Sequence, residues 1–287
     1  KYKTNNREVF LSSEINEDAI HNSLSSLDEP YYDPSVIPSY LLSKEISNYY
    51  KVAISGDGGD ELLGGYKRTM NSLKSKSFIN NIFSKFYNLY PPVLGTGNKF
   101  LSQSSNINTR YRSYLEDVNL LKLLEITPSQ KGYEINIENH YEDYKGLLLS
   151  DYGFYLPDMM MFKIDRTSMA NSLEIRSPFV DHKLVEYIMS TKSSYIDLNN
   201  SKNILKNYLS QDFNNDFINR EKQGFVFDIE NWIFQNLNML NETLNTGKVS
   251  NYIPANFALK VGKYKSRINS HRIWKLYVLN HYLENLD

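Results

Sequence analysis

A short apolar run broken by glycines and acids constrains this chain more than any other segment. Lys51-Val-Ala-Ile-Ser55 leads directly into Gly56-Asp-Gly-Gly-Asp-Glu-Leu-Leu-Gly-Gly-Tyr66. A brief apolar run ended by glycines reads as a buried parallel strand, and the turn after it opens a helix. In open α/β sheets, ligands bind at the carboxyl ends of the strands. Glycines there let the backbone come close to a nucleotide. Asp57 and Asp60 share the turn. An acidic turn repels phosphate unless a hard cation such as Mg²⁺ stands between them. The plainer alternative is a Gly-rich turn that caps a helix with Asp60 and Glu61. Three acids among the five glycines of 55–66 weigh against it.

The order of elements around that turn points to an open α/β sheet. Residues 8–12 (EVFLS) read as a strand. Asn16 offers a helix N-cap, with Glu17 and Asp18 in the first turn, and the helix runs to about Leu27. Asp28-Glu29-Pro30 breaks it. A second helix starts near Val36 and carries Ile37, Tyr40, Leu41 and Ile46 at helical spacing. After Arg68 the strand signals thin out. Residues 70–150 read as mostly helical, with a loop at Tyr90–Gly97, and further helices are predicted at about 181–191, 201–210, 228–243 and 271–284. The expectation is one domain, with an α/β part over 1–68 and a mainly helical part over 69–287.

Residues 156–173 form a helix apolar on nearly every side, which predicts burial. At 100° per residue, Asp158, Asp165 and Met169 share a face, while Lys163 and Arg166 lie on a neighbouring strip. Buried charges are costly unless paired or bound to a ligand. Asp158 and Lys163 are read as facing a ligand, Asp165 and Arg166 as part of an internal ion-pair network. Arg176 is a candidate carboxylate clamp, because its planar fork matches a carboxylate. Its alternative is an ion pair with Glu174 or Asp181, and Asp181 reads as the N-cap of the helix that follows.

Composition excludes several classes of function. With no cysteine, the chain carries no disulfide, zinc–thiolate site or cysteine nucleophile. That fits a reducing, cytoplasmic setting. A formal net charge of −1 gives no overall pull toward nucleic acid or an acidic membrane. No apolar run is long enough to span a bilayer, and the charged, Asn-rich start is no signal peptide. Lys1 stands where an initiator Met is expected, so the sequence reads as beginning inside a longer product.

Taken together, SGDGGDELLGGY (55–66), LPDMMMFKIDRTSMANSLEIRSPFVDH (156–182), LDEPYYDPSVIPSYLLSK (27–44), SKNILK (201–206) and REKQGF (220–225) resemble, in the right order, the motifs of the asparagine synthase family. The resemblance covers nearly the whole chain. It implies a parallel-sheet ATP pyrophosphatase fold, of the adenine nucleotide alpha hydrolase-like type, with a large helical portion. It also implies ATP and Mg²⁺ as cofactors, and a chemistry in which a carboxylate is adenylated and then amidated to give asparagine. By resemblance, Ser55 and Gly56 contact AMP, Asp60 is a Mg²⁺ ligand, and Asp57 takes a proton from ammonia. Lys202 stabilises the adenylation transition state and pyrophosphate, and Lys222 is a further phosphate contact. Asp158 joins Asp57 and Lys202 as a catalytic candidate, with Lys163 and Arg176 on the substrate. Met159 departs from the family, many members having a second Asp there. No Ser-Gly-Gly occurs in the sequence, so the family's Ser-Gly-Gly-x-Asp-Ser pyrophosphate loop, the first strands of the sheet and the N-terminal glutaminase domain are expected to lie upstream. The isolated chain is then expected to be inactive. The partners implied are small molecules and that glutaminase domain; a homodimer stays open. Other acceptors, sugar acids or peptide carboxylates, and a non-catalytic or split subunit are the competing readings.

Overall fold

The computed structural model describes Thr4, Asn5, Glu8 and residues 16–74, 78–126, 144–191, 202–220 and 227–286. Residues 9–12 of the strand expected over 8–12, and the candidate Lys222, lie outside the described residues.

The chain opens with α1 (Glu17–Ser25), α2 (Val36–Ser47), β1 (Val52–Ile54) and α3 (Gly59–Leu63). Asn16 caps α1 by accepting a hydrogen bond from the Ala19 amide at 2.8 Å, as its position before the first apolar turn predicts. Short helices follow: α4 (Lys67–Leu73), α5 (Phe78–Lys85), α6 (Asn98–Leu101), α7 (Ile107–Arg112), α8 (Val118–Leu123) and α9 (Tyr144–Ser150). A π-helical stretch over Asp151–Met161 leads into α10 (Phe162–Met169) and β2 (Glu174–Arg176). The chain ends through α11 (His182–Ser190), α12 (Asn203–Leu209), α13 (Asn215–Ile218), α14 (Ile229–Gln235), α15 (Leu237–Thr246), α16 (Phe257–Gly262) and α17 (Arg267–Glu284). Among the described residues, no helix is long and apolar enough to cross a membrane.

β1 and β2 pair in parallel, with Val52 opposite Glu174 and Ile54 opposite Arg176. The pairing carries the end of β1 into the turn, since the Ser55 amide donates to the Arg176 carbonyl at 2.9 Å. The strand expected to be buried is not: Val52 is 43% and Ile54 77% exposed. Among the described residues the sheet has two strands, so the alternate faces of β1 are not both covered.

The main core lies away from this sheet. Ile20 and Leu24 of α1 and Val36 and Ile37 of α2 pack with Ile233, Leu240, Phe257, Ile273 and Trp274 of α14–α17. Truncating a fully buried Trp274 would cost about 3–5 kcal/mol. Arg272, 1% exposed, binds Asp117 at 2.7 Å and the carbonyls of Pro92 and Gly95 at 2.7 and 3.1 Å. That guanidinium fastens the Tyr90–Gly97 loop to α17.

The helix over 156–173 differs from its expected form. Pro157 lies inside the π-helical stretch, where a proline removes an amide donor and disturbs the regular ladder. The buried strip beyond it is polar, formed by Lys163, Thr167 and Ser168, whereas Met169 is 55% exposed. Asp165 and Arg166 do not form an internal network: Arg166 pairs with Asp28 at 2.9 Å on the surface. The helix expected over 228–243 is two helices meeting at Asn236. The last helix starts earlier than 271, because Ser266 caps it through the Asn269 amide at 3.2 Å.

Candidate functional site

The glycine-rich turn holds its shape through two left-handed glycines and one close approach. Gly58 has φ +86°, and a Cβ there would come within 2.8 Å of Val180. At Gly65 a Cβ would overlap the Asp60 carboxylate and crowd the Lys202 side chain. Gly56 is different. A Cβ there would meet nothing within 4 Å, so the chain's own packing gives no reason for a glycine. A ligand resting against the backbone would.

The turn carries its acids in three distinct environments. Asp57 is half-buried and makes no ion pair or side-chain hydrogen bond with the described residues. Asp60 pairs with Lys202, Nζ to Oδ1, at 2.5 Å. Glu61 is 1% exposed and accepts a hydrogen bond from the Tyr66 hydroxyl at 2.6 Å. Burial raises the Glu61 pKa above its usual 4.5, with the Tyr66 hydrogen bond opposing that shift. Lys202 reaches the turn because it docks on the end of α3: its amide donates to the Leu63 carbonyl at 3.2 Å. Its backbone is left-handed, with φ +59°. At the start of the turn, Ser55 Oγ lies 2.7 Å from Ser177 Oγ.

The remaining candidates spread over two neighbouring surfaces. Lys163 is buried, donates to Ser35 Oγ at 2.9 Å and lies 3.9 Å from Asp33. Asp158 is exposed on the π-helical stretch. Arg176 is exposed and pairs with Glu174 within β2 at 2.7 Å; Asp181 instead caps α11 through the Lys183 amide at 2.9 Å. The structure thus brings Asp57, Asp60 and Lys202 together at one turn, with Ser55 and Gly56 at its entrance. Arg176 leaves that entrance on the next strand, and Asp158 and Lys163 stand on the adjoining helix.

Among the described residues, no three His, Asp or Glu side chains converge as a metal site. A divalent ion held by protein groups alone does not fit here. One carboxylate, that of Asp60, does suit magnesium, which usually takes one or two carboxylates and completes its shell with phosphate and water.

A hub behind the turn escapes the sequence reading. Asp151, fully buried, accepts from Arg68 at 2.7 Å, Thr69 at 2.8 Å and Tyr111 at 2.5 Å. Arg68 lies between two rings, 3.8 Å from the Tyr66 centroid and 4.0 Å from that of Tyr155. Burial and the Asp151 charge raise the Tyr111 pKa well above 10. The only trace in sequence is an acid, Asp151, within an otherwise apolar stretch.

Known proteins give this arrangement its context. A family profile described as asparagine synthase matches residues 1–284. Asparagine synthetase [glutamine-hydrolyzing] 1 of Bacillus subtilis (strain 168) is 26% identical over 272 residues, covering 88% of this chain and 43% of that protein. A putative asparagine synthetase of Mycobacterium tuberculosis (strain ATCC 25618 / H37Rv) is 25% identical over 224 residues, covering 72% of this chain and 34% of its own length. The chain therefore spans less than half the length of these curated relatives. With the profile matched over residues 1–284, the chain belongs to the asparagine synthase family.

Proposed function

We propose that this chain forms the synthetase half of an ATP-dependent amide ligase, with the glycine-rich turn and Lys202 as its nucleotide site. The observation that carries the proposal is the Asp60–Lys202 pair at 2.5 Å, set beside a glycine, Gly56, that the packing does not require. At the end of the strand an ammonium can meet the ATP phosphates directly, and the carboxylate would meet them through a magnesium ion that comes with the nucleotide. The fold we assign is the parallel-sheet ATP pyrophosphatase type.

A carboxylate is a poor electrophile. In the proposed reaction its oxygen attacks the α-phosphorus of ATP, the bond to the β-phosphate oxygen breaks, and pyrophosphate leaves. Ammonia then attacks the acyl carbon of the acyl-adenylate, AMP leaves, and an amide remains. Lys202 neutralises charge that grows on the departing pyrophosphate. Asp57, with no ion pair among the described residues, accepts the proton that ammonia loses. Ser55 and Gly56 present the turn to AMP. Magnesium, when bound with ATP, supplies phosphate charge neutralisation, and Asp60 is its protein ligand. Lys163 holds the Asp33–Ser35 loop against α10 and, with Arg176, is assigned to substrate; Asp158 borders the same surface.

The names of the relatives imply L-aspartate as acceptor and glutamine as the ammonia source. A glutaminase domain and the loop that cradles pyrophosphate are proposed to come from outside these 287 residues, and the isolated chain to be inactive.

The test is acid-dependent pyrophosphate release by the full-length protein, with L-aspartate compared against other acids. Release that needs ATP, an acid and Lys202 supports the reading. ATP turnover indifferent to any acid would overturn it.

A further inference from the structure

Arg68 touches both walls of the proposed site. It stands two residues after Tyr66, where the glycine-rich segment ends. Its guanidinium carbon lies 3.8 Å from the Tyr66 ring centroid and 4.0 Å from that of Tyr155 on the π-helical stretch. The two rings meet edge to face, with centroids 5.5 Å apart. Nη2 of Arg68 donates to Asp151, the first residue of that stretch, at 2.7 Å, and Nε donates to the same oxygen at 3.3 Å. A planar guanidinium can stack on rings and bind a carboxylate with its edge at the same time, whereas a lysine ammonium is a point charge.

Each of these contacts leads to a residue of the proposed mechanism. The Tyr66 hydroxyl donates to Glu61 at 2.6 Å. Glu61 is the chain neighbour of Asp60, which pairs with Lys202. On the other side, Asp151 and Tyr155 are four residues apart, and Asp158 follows three residues beyond Tyr155 on the same π-helical stretch. π-helical turns are uncommon and recur at functional sites.

The two segments are docked without Arg68 as well. α9 lies so close to the end of α3 that a Cβ at Gly64 would overlap the Tyr144 hydroxyl. Asp151 also accepts from Thr69 at 2.8 Å and from Tyr111 at 2.5 Å. What Arg68 adds is a side-chain spacer whose length is set by a guanidinium plane and two rings.

We infer that Arg68 is a positioning residue: it fixes the separation between the glycine-rich turn, which takes ATP, and the π-helical stretch, which borders the carboxylate substrate. It thereby aligns the attacking carboxylate oxygen with the α-phosphorus. The side chain is 13% exposed, and it acts through the two segments it joins. The inference rests on the amide-ligase reading above and adds to it a pair of residues, Arg68 and Tyr155, that the reading does not use. A displacement of about 1 Å at the reacting atoms can cost about 10²-fold in rate.

The test is steady-state pyrophosphate release by the full-length protein, with ATP and the best acid, alongside calorimetric ATP affinity and the urea midpoint. Arg68→Lys keeps a charge beside Asp151 but loses the plane between the rings. Tyr155→Leu keeps the Arg68–Asp151 pair and removes one ring, and Tyr155→Phe keeps the ring. Arg68→Lys and Tyr155→Leu are expected to lower kcat by about 10²-fold, with KM for ATP and acid little changed, the mark of lost transition-state alignment. Tyr155→Phe should restore the parent kcat. ATP affinity should match that of the parent in all three, which also shows that they are folded. The inference is overturned if only the urea midpoint moves while kcat holds, if the loss lies in KM or ATP affinity alone, or if Tyr155→Phe is as slow as Tyr155→Leu. Should Arg68→Lys fail to fold, the two Tyr155 variants decide the matter by themselves. A parent protein that releases no pyrophosphate in response to any acid would instead sink the ligase reading.

Discussion

Lys202 Nζ lies 2.5 Å from Asp60 Oδ1, and Gly65 has no Cβ because that atom would fall on the same carboxylate. Two segments distant in sequence thus meet at one point. The left-handed backbone of Lys202 and the hydrogen bond its amide donates to the Leu63 carbonyl hold the contact from the α12 side.

Replacing that lysine separates chemistry from stability. The pair is partly exposed, 34% at Lys202 and 17% at Asp60, and such pairs are worth about 0–1 kcal/mol. Lys202→Ala is therefore expected to change the urea midpoint little while abolishing ATP-dependent pyrophosphate release in the full-length protein. Release at the parent rate would remove Lys202 from the proposed mechanism.

Asp57 is proposed to act after the acyl-adenylate has formed. Asp57→Asn should consequently spare pyrophosphate exchange into ATP, which reports adenylation, and depress amide formation by about 10²–10⁴-fold, the usual weight of a general base. An equal loss in both assays would contradict a proton-acceptor role.

The turn is legible in sequence because its signal is local. Glycines and acids at 56–65 report backbone shape and charge without any knowledge of the rest of the chain. The Asn16 and Asp181 caps are legible for the same reason, each serving amides two or three residues away. Burial is harder to read. Apolar count places Met169 and Ile54 inside, whereas both are mostly exposed. The helix it suggests buries Lys163 and Thr167 instead, because Ser35 and Asp33 stand opposite to receive a charge. That match lies across distant sequence and leaves no periodic mark.

Asp151 ties three side chains to one carboxylate, and its variants should rank accordingly. Asp151→Ala leaves the Arg68 charge without its partner, which costs about 3–5 kcal/mol. Tyr111→Phe removes one hydrogen bond to a charged group, worth about 1.5–3 kcal/mol. Urea unfolding of both variants checks the order. A Tyr111→Phe loss equal to that of Asp151→Ala would mean that packing, not the carboxylate, holds the hub.

Glu61 sets a pH dependence whose sign follows from burial. Its pKa in the fold lies above the ordinary 4.5, so the folded state holds a proton that the unfolded chain has already released. Between those two pKa values the native state binds more protons, and stability falls as pH rises. The contribution is fully present below the unfolded value and is lost once pH has passed the folded one. Glu61→Gln stays neutral throughout, and its side-chain carbonyl still accepts from Tyr66. The Tm of the variant should therefore rise relative to that of the parent as pH increases from about 4, and the difference should level off once the parent carboxyl has ionised in the fold. A difference that stays constant, or that shrinks as pH rises, would show that Glu61 is ionised in the fold without cost.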